Sequence, residues 1–376
     1  MSSDGSISSR TVQAQTRLTT ISSHISPKKP KVVVCRDLGP DVMPILTKRQ
    51  DIEVVLWPED RACDRDWLLK NIAGATGVLL MITEKVNQEL LDAAGPSLRV
   101  ISTMSVGYEH VDLPLVAQQN LRLGYTPNVL TDAVADLSIM LALMAGRNVN
   151  ETMAIAREGR WPQFTWSPFA LCGPQFSTTS QYPKRTIGFL GFGRIAQATL
   201  SRALAFGVTD CIYYSNPSSL PKLERDVAIL KQHQPQLKSL RAVDLDTLAS
   251  ESDVVFVLAP GGEKTKHLVN EDFLKKMKKH GVLVNTGRGT VVDSDALAKA
   301  LREQWLWGAG LDVVEGEPNL YQDHPLLKEP RCNIVPHIGS ATFETRVGMA
   351  TLAANNVIAG VLNDKMPAEV DIETLI

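Results

Sequence analysis

The chain has 376 residues, of which 44% are apolar and 21% are charged, and its formal net charge is −2. A chain of this length is too long for one ordinary hydrophobic core, which predicts two domains of similar size. The near-neutral charge argues against a nucleic acid or an anionic membrane as a partner. The 5 cysteines include no C-x-x-C spacing, which indicates reduced thiols in an intracellular protein, and we expect a cytoplasmic protein without a metal site.

The first thirty residues differ in composition from the rest of the chain. They are rich in Ser and Thr, carry Arg10, Arg17, Lys28 and Lys29 against the single Asp4, and contain almost no large apolar residue. This composition predicts a disordered tail over residues 1–30. A mitochondrial presequence is similar in composition, so mitochondrial targeting is the alternative interpretation.

Alternating strand and helix patterns begin at Lys31. Short apolar runs at 31–35, 54–56, 77–82 and 99–103 are separated by stretches with helical character, which predicts a first α/β domain with a parallel sheet. In such sheets ligands bind beyond the carboxyl ends of the strands. Val106 and Gly107 follow the fourth run, and a glycine there either lets backbone amides approach a small anionic substrate or only serves the turn.

A long apolar helix is predicted to end near Gly146, and we interpret it as the crossing between the two domains. An aromatic-rich segment at 161–169, which includes Trp166, follows this helix. Such a segment is hard to bury within one domain and suits a subunit interface.

A glycine-rich stretch at 184–198 organises the second half of the chain. A buried strand over Thr186–Leu190, a tight turn at Gly191 and Gly193 and a helix after Arg194 form the G-x-G-x-x-[GA] pattern of a dinucleotide phosphate site. Gly191 allows the sharp turn, Gly193 lets the backbone approach a pyrophosphate, and the helix N-terminus favours the bound anion. The motif alone is weak evidence for a nucleotide site. It is strengthened by the strand before it, the helix after it and the alternation of strands and helices further along the chain.

The residues that follow the next strand bear on the choice of cofactor. That strand ends at Tyr214 and is followed by Ser215 and Asn216, where an enzyme that prefers NAD places an Asp or Glu to bind the ribose hydroxyls. The two neutral side chains would accommodate a 2′-phosphate, and Lys222 or Arg225 could supply positive charge. The sequence therefore predicts NADP(H) as the preferred cofactor, with NAD(H) as the alternative.

Three titratable residues follow later strands of the second predicted sheet. Arg288 follows the run at 281–285, Glu317 follows the run at 308–313, and His337 follows a strand around 334. Because the carboxyl ends of parallel strands meet at one edge of a sheet, we expect these side chains to face the first domain across the cofactor.

The chemistry of these three side chains suits one reaction. An Arg can clamp a carboxylate through two hydrogen bonds, and a His whose charged form is favoured by a Glu can give a proton to a carbonyl oxygen. Together they specify reduction of a 2-oxo acid. Singly, each of Arg288, Glu317 and His337 would more often be an ordinary surface or loop residue, and their joint placement argues against that interpretation.

Several motifs occur in order between Lys31 and the C-terminus. They are ISTMSVG (101–107), GYTPNVLTD (124–132), LCG (171–173), GFLGFGRI (188–195), NTGRG (285–289), AGLDV (309–313), PHIGSAT (336–342) and LAANN (352–356). With them the chain resembles the D-isomer-specific 2-hydroxyacid dehydrogenases, in particular the glyoxylate/hydroxypyruvate reductases. The resemblance implies two Rossmann-like α/β domains with parallel sheets and a cleft between them. A flavodoxin-like substrate domain would comprise 31–127 and 345–376, and an NAD(P)-binding domain 128–344.

The resemblance also implies roles for individual residues. Arg288 would bind the carboxylate and oxo group of the substrate, and His337, paired with Glu317, would be the acid/base. The expected cofactor contacts, with the two residues after Tyr214 included, are Gly191, Gly193, Arg194, Ile195, Ser215, Asn216, Pro260, Thr286, Asp312 and Gly339. The residues expected to complete the substrate pocket are Val106, Gly107, Ser340 and Trp166 of the partner subunit, so that a homodimer is implied.

Two stretches depart from the reductase pattern. The chain has the sequence SNPS at 215–218, where mammalian-type reductases have a basic residue, and this departure bears on the preference for NADP(H). The segment at 164–169 differs in length and in its flanking residues, so larger 2-oxo acids are also among the expected substrates. The alternatives within enzymes are a 3-phosphoglycerate dehydrogenase, which would carry a further regulatory domain, and a formate dehydrogenase, which has Gln where Glu317 stands. A dinucleotide-sensing corepressor on the same fold is the alternative from another class. We expect the reductase, because the three residues of the triad are intact.

Overall fold

The protein is described by a computed structural model that covers residues 29–215 and 222–374. The predicted tail over residues 1–30 lies almost wholly outside this part of the chain, and Asn216 lies outside it as well. The described residues form two sheets in which neighbouring strands are all parallel. The predicted α/β class with two parallel sheets is therefore confirmed.

The strands and helices alternate along most of the chain. The strands are β1 (Lys31–Val34), β2 (Glu53–Leu56), β3 (Gly77–Leu80), β4 (Val100–Thr103), β5 (Arg122–Gly124), β6 (Thr186–Leu190), β7 (Asp210–Tyr214), β8 (Ser239–Ala242), β9 (Val254–Val257), β10 (Val282–Asn285), β11 (Gly308–Leu311) and β12 (Cys332–Ile334). The helices are α1 (Met43–Thr47), α2 (Arg65–Ile72), α3 (Gln88–Ala94), α4 (Leu113–Gln118), α5 (Thr131–Gly146), α6 (Val149–Arg157), α7 (Arg194–Leu204), α8 (Leu223–Gln232), α9 (Leu245–Glu251), α10 (Glu271–Lys276), α11 (Ser294–Arg302) and α12 (Phe343–Val361). Short 3₁₀ helices lie at Trp161–Gln163, Gly289–Val291 and Pro325–Lys328.

The first sheet has the strand order β2-β1-β3-β4-β5, the flavodoxin-like order of a doubly wound sheet. Its two faces are both covered, because successive residues of a strand point to opposite sides. Val33 and Ile101 pack with residues of α2, α3 and α4, whereas Val32, Val34 and Val100 pack with residues of α1 and α12. Strands buried on both sides read as continuous apolar runs, which is why β1, β3 and β4 were predictable.

The second sheet has the order β12-β11-β10-β9-β6-β7-β8. The strand order reverses between β6 and β9, which is the switch point where dinucleotide-binding sheets hold their ligand. Phe189, Tyr213 and Phe256 pack with residues of α5, α7 and α8 on one face. Leu190 and Val257 pack with residues of α9, α10 and α11 on the other face. The sheet is therefore doubly wound around β6, the strand that precedes the glycine-rich turn.

The last helix, α12, joins the first sheet rather than the second. It packs against β3, β4, β5 and α1. Asn356 of α12 donates to the Tyr125 carbonyl at 2.9 Å and accepts from the Ala368 N–H at 2.9 Å, and Ser102 Oγ of β4 donates to the Ala353 carbonyl at 2.8 Å. These bonds bring the C-terminal part of the chain back to its N-terminal part.

The apolar helix α5 packs against α7, β10 and β11 of the second sheet. Each run of helical residues in 29–215 and 222–374 is too short or too polar to cross a membrane. The domain boundaries at 127/128 and 344/345 stay predictions.

Candidate active site

The glycine-rich turn between β6 and α7 has the geometry that a phosphate site needs. Gly191 has a φ of 89°, in the region that favours glycine, and a Cβ on it would lie 2.9 Å from Ala259 Cα. Its N–H donates to the Tyr214 carbonyl at 2.8 Å, which joins the turn to the end of β7. Gly193 is the N-cap of α7, and the described residues leave open space around the place where its Cβ would stand. There is therefore room for an anion at the α7 N-terminus.

The other residues expected near the pyrophosphate and ribose lie beside this turn. Arg194 is exposed and Ile195 is half-buried, and both are in the first turn of α7. Ser215 is half-buried and follows β7 directly. The structure thus brings Gly191, Gly193, Arg194, Ile195 and Ser215 to one corner of the second sheet.

A buried acid, Asp226, lies close to the same corner, but its carboxylate is already hydrogen-bonded to neighbouring side chains. Asp226 of α8 accepts from the Tyr213 hydroxyl at 2.6 Å and from Nε and Nη2 of Arg225 at 2.9 and 2.7 Å. The Arg225 guanidinium also donates to the Phe192 carbonyl at 3.1 Å and lies over the rings of Phe192 and Tyr213. Burial and the bond to Asp226 raise the pKa of the Tyr213 hydroxyl to about 12. Asp226 and Arg225 therefore serve the packing behind the turn, and Asp226 is not a free carboxylate for ribose hydroxyls.

Thr286 follows β10 and is held by a buried hydroxyl pair. Its Oγ1 lies 2.7 Å from Ser138 Oγ in α5, and Ser138 Oγ donates to the Val134 carbonyl at 2.7 Å. Pro260 is exposed in the loop after β9, where its carbonyl accepts from Thr265 Oγ1 at 2.8 Å. The residues expected to line the cofactor thus follow β9 and β10, next to the switch point.

Asp312 holds the loop that carries the candidate acid. Its buried carboxylate accepts from the N–H groups of Ile338 at 2.6 Å and Gly339 at 2.9 Å. Burial raises the pKa of the Asp312 carboxyl, although these two bonds oppose the shift. A Cβ on Gly339 would lie 2.8 Å from Asp312 Oδ2, so this approach requires glycine. Ser340 follows in the same loop and is half-buried.

His337 and Glu317 form a direct hydrogen bond. His337 Nδ1 lies 2.8 Å from Glu317 Oε1, and Glu317 Oε2 accepts from the Val314 N–H at 3.2 Å. The bond to Glu317 raises the pKa of the His337 imidazole, against the opposing effects of burial and of the Arg288 charge. The His337 side chain is 41% exposed. The pair predicted from the strand ends is therefore present, with the charged imidazole favoured.

Arg288 follows β10 and forms an ion pair with Glu109 that the sequence did not predict. Its Nε donates to Glu109 Oε1 at 2.8 Å and its Nη2 to Glu109 Oε2 at 3.4 Å, while Nη1 donates to the Gly287 carbonyl at 2.9 Å. Glu109 lies between β4 and α4, on the first sheet's side. The only available signal was its position two residues after Gly107, at the end of a strand whose carboxyl end was expected to face the cleft.

Gly107 lies directly under this ion pair. A Cβ on Gly107 would overlap both Arg288 Nη2 and Glu109 Oε2. The Gly107 carbonyl accepts from Ser105 Oγ at 2.7 Å, which fixes the turn after β4, and the neighbouring Val106 is half-buried. Glycine is thus needed here for the approach of a guanidinium, in addition to any role in the turn.

Trp166 is exposed on the surface of the single chain. Its side chain is 78% exposed, and Trp161 and Phe169 of the same segment are 70% and 88% exposed. Exposed apolar groups of this size are typical of interaction surfaces. The subunit interface and the role of Trp166 stay predictions.

Comparison with known proteins agrees with this arrangement. A family model described as D-isomer specific 2-hydroxyacid dehydrogenase, NAD binding domain, matches residues 139–339. A glyoxylate reductase from Thermofilum pendens is 40% identical over 347 residues, which are 92% of this chain and 96% of that protein. The glyoxylate reductase/hydroxypyruvate reductase of Homo sapiens is 38% identical over 339 residues, 90% of this chain and 97% of that protein.

Solved structures show the same fold. An NADPH-dependent glyoxylate/hydroxypyruvate reductase from Sinorhizobium meliloti, in complex with NADP and malonate, is 30% identical with a TM-score of 0.70 over 92% of this chain and 97% of that chain. A glyoxylate reductase from Paecilomyes thermophila is 26% identical with a TM-score of 0.76 over 92% of this chain and 99% of that chain. The chain belongs to the D-isomer-specific 2-hydroxyacid dehydrogenase family.

Proposed function

We propose that the chain is an NAD(P)H-dependent reductase of 2-oxo acids, with glyoxylate and hydroxypyruvate as substrates, and that it forms D-2-hydroxy acids where the product is chiral. The observation that carries the proposal is the hydrogen bond between His337 and Glu317 at the sheet edge that also carries Arg288. The relatives from Thermofilum pendens and Homo sapiens, named glyoxylate reductase and glyoxylate reductase/hydroxypyruvate reductase, support the choice of substrate.

The residues of the site would divide the work as follows. Arg288 binds the carboxylate of the oxo acid through its guanidinium. Glu317 accepts a hydrogen bond from Nδ1–H of His337, so that the Nε2–H of the charged imidazole is left to donate its proton to the carbonyl oxygen. After the transfer, the neutral imidazole keeps its Nδ1 proton toward Glu317. The nicotinamide supplies the hydride when it is bound.

The described residues fit a dinucleotide. Room at the N-terminus of α7, beside Gly193, suits the pyrophosphate. The carboxylate of Asp312 and the backbone at Thr286, whose side chain is held by Ser138, would orient the carboxamide. Each oxygen of Asp312 accepts one backbone N–H and retains a lone pair for a further donor.

We also propose a homodimer and a cytoplasmic location. The exposed aromatic side chains at 161–169 supply a surface that a second copy would cover, with Trp166 of the partner subunit reaching the substrate pocket. The free cysteines of the chain suit a reducing compartment.

Steady-state oxidation of NADPH and of NADH tests the substrate and the cofactor together. We expect turnover of glyoxylate and hydroxypyruvate, with pyruvate and a bulkier 2-oxo acid as comparisons, and a higher kcat/KM with NADPH. Preference for NADPH follows from Ser215, a neutral residue at the end of β7, and from the occupation of Asp226 by Tyr213 and Arg225.

The variant Ser215→Asp places a carboxylate where a 2′-phosphate would bind, and we expect it to move the preference toward NADH. Binding of nucleotide without turnover of any oxo acid would contradict the proposed function. An unchanged cofactor ratio in Ser215→Asp would show that the 2′-phosphate is recognised elsewhere.

The pH dependence of reduction should report His337. Because Glu317 raises the pKa of His337, the charged imidazole persists to higher pH than an ordinary imidazole would, and we expect kcat/KM for glyoxylate to decline only as the pH rises through this raised pKa. Glu317→Gln removes the carboxylate that favours the charged form, so the decline should begin at lower pH. A pH profile of wild type and Glu317→Gln checks this, and identical profiles would remove Glu317 from the mechanism.

A further inference from the structure

The ion pair between Arg288 and Glu109 joins the two halves of the candidate site. The two residues are 179 positions apart in sequence, and they come from the loops that follow β10 and β4. The guanidinium and carboxylate lie between two glycines, because a Cβ on Gly107 would overlap both groups and a Cβ on Gly261 would lie 3.2 Å from Arg288 Cγ and 3.7 Å from Glu109 Oε1. Glu109 thus reaches Arg288 through a gap that a side chain at position 107 would close.

The carboxylate of Glu109 takes one particular edge of the guanidinium. A guanidinium has five N–H groups: one on Nε and two on each terminal nitrogen. Glu109 accepts from Nε and Nη2, and the Gly287 carbonyl accepts from Nη1. Among the residues that the structure describes, these bonds leave one N–H on Nη1 and one on Nη2. A carboxylate that binds the guanidinium end-on needs one N–H from each of these two nitrogens.

The charge on Glu109 is maintained in this setting. Burial by itself would raise the pKa of the Glu109 carboxyl, but the hydrogen bond and the charge of Arg288 outweigh it and hold the pKa below its ordinary value. The side chains of Arg288 and Glu109 are 31% and 53% exposed, so the pair is partly solvated.

We propose that Glu109 is a positioning residue for substrate binding, which holds Arg288 by the edge formed by Nε and Nη2 so that the end formed by Nη1 and Nη2 is available for the carboxylate of a 2-oxo acid. The inference rests on the proposed function. Its physical basis is that a long, flexible Arg side chain must otherwise be immobilised when the substrate binds, and this ordering weakens binding. Glu109 orders the side chain beforehand and also ties the loop after β4 to Arg288.

The geometry distinguishes positioning from competition. A carboxylate that competed with the substrate would bind the end of the guanidinium formed by Nη1 and Nη2. Glu109 occupies the edge formed by Nε and Nη2, with the shorter bond at Nε. Removal of its charge should therefore weaken substrate binding and not strengthen it.

The experiment compares Glu109→Gln and Glu109→Asp with a matched control, Glu369→Gln. Glu369 accepts from Nε and Nη2 of Arg122 at 2.8 and 2.7 Å, in the same edge-on arrangement but beside the first sheet and away from Arg288. The readouts are KM and kcat for glyoxylate with NADPH, the dissociation constant of NADPH, and the affinity of the NADPH complex for oxamate, an unreactive oxo-acid analogue, by calorimetry.

We expect Glu109→Gln to raise KM and to weaken oxamate binding by roughly three- to tenfold, the effect of ordering one side chain, with kcat and NADPH affinity nearly unchanged. Glu109→Asp keeps the charge and should show a smaller rise in KM, and Glu369→Gln should match wild type. An unchanged or lowered KM in Glu109→Gln, or an equal rise in Glu369→Gln, would overturn the inference. Absence of turnover in wild type would overturn the proposed function instead, and oxamate binding would still test the role of Glu109.

Discussion

His337→Ala should lower kcat for glyoxylate reduction by roughly 10²- to 10⁴-fold, the range that a positioned general acid contributes. The imidazole is held by Glu317 at 2.8 Å and its charged form is favoured, so its loss removes the proton donor and leaves only water to protonate the product oxygen. Steady-state assays with saturating NADPH measure the effect. The affinity for NADPH should stay nearly the same, because the glycine-rich turn follows β6 whereas His337 follows β12, and β9, β10 and β11 lie between these two strands in the sheet.

The backbone at His337 calls for a second variant. His337 has a φ of 52°, in the left-handed region, where Asn is tolerated better than Ala. His337→Asn therefore preserves the loop that Asp312 holds, and it should lose activity to a similar extent. Retention of near wild-type kcat in His337→Asn would remove His337 from the mechanism.

Arg288→Met should lower kcat/KM for glyoxylate by roughly 10²- to 10³-fold, because the substrate carboxylate loses its charged, two-point partner. Much of the loss should appear in KM, which steady-state kinetics over a wide range of glyoxylate concentration can measure. Arg288→Lys keeps the charge but not the planar pair of N–H groups and should recover only part of the activity.

Arg122 offers the matched control for Arg288. It makes the same edge-on pair with a Glu, at Glu369, so Arg122→Met removes an equivalent ion pair outside the site. We expect Arg122→Met to keep wild-type kinetics. A KM for Arg288→Met equal to that of wild type would show that the substrate carboxylate is bound by another group.

Local sequence patterns were enough to predict most of the strands. The buried strands β6, β9 and β10 are continuous apolar runs, as expected for parallel strands covered on both faces. The strands β5 (Arg122–Gly124) and β8 (Ser239–Ala242) were missed, because each is short and contains polar or small residues that match a loop as well as a strand.

The candidate site was predictable only in part. The bond between His337 and Glu317 followed from topology, since the two residues come after neighbouring parallel strands, β12 and β11, whose ends must meet at one edge. The hydroxyl pair of Thr286 with Ser138 was not predictable in this way. The ion pair of Glu109 with Arg288 was not predictable either, because nothing in the local sequence distinguishes Glu109 from other acidic residues in loops.

The sequence by itself determined the α/β class, the strand, turn and helix around Gly191, and the chemical types of Arg288, Glu317 and His337 at strand ends. These depend on local periodicity and residue type. Only the tertiary structure decided that Glu109 holds Arg288 and that Ser138 holds Thr286, pairs that are 179 and 148 residues apart in the chain. A hydrogen bond forms only within about 3.5 Å, so such a pair depends on how separately formed elements are placed against one another, which no local pattern records.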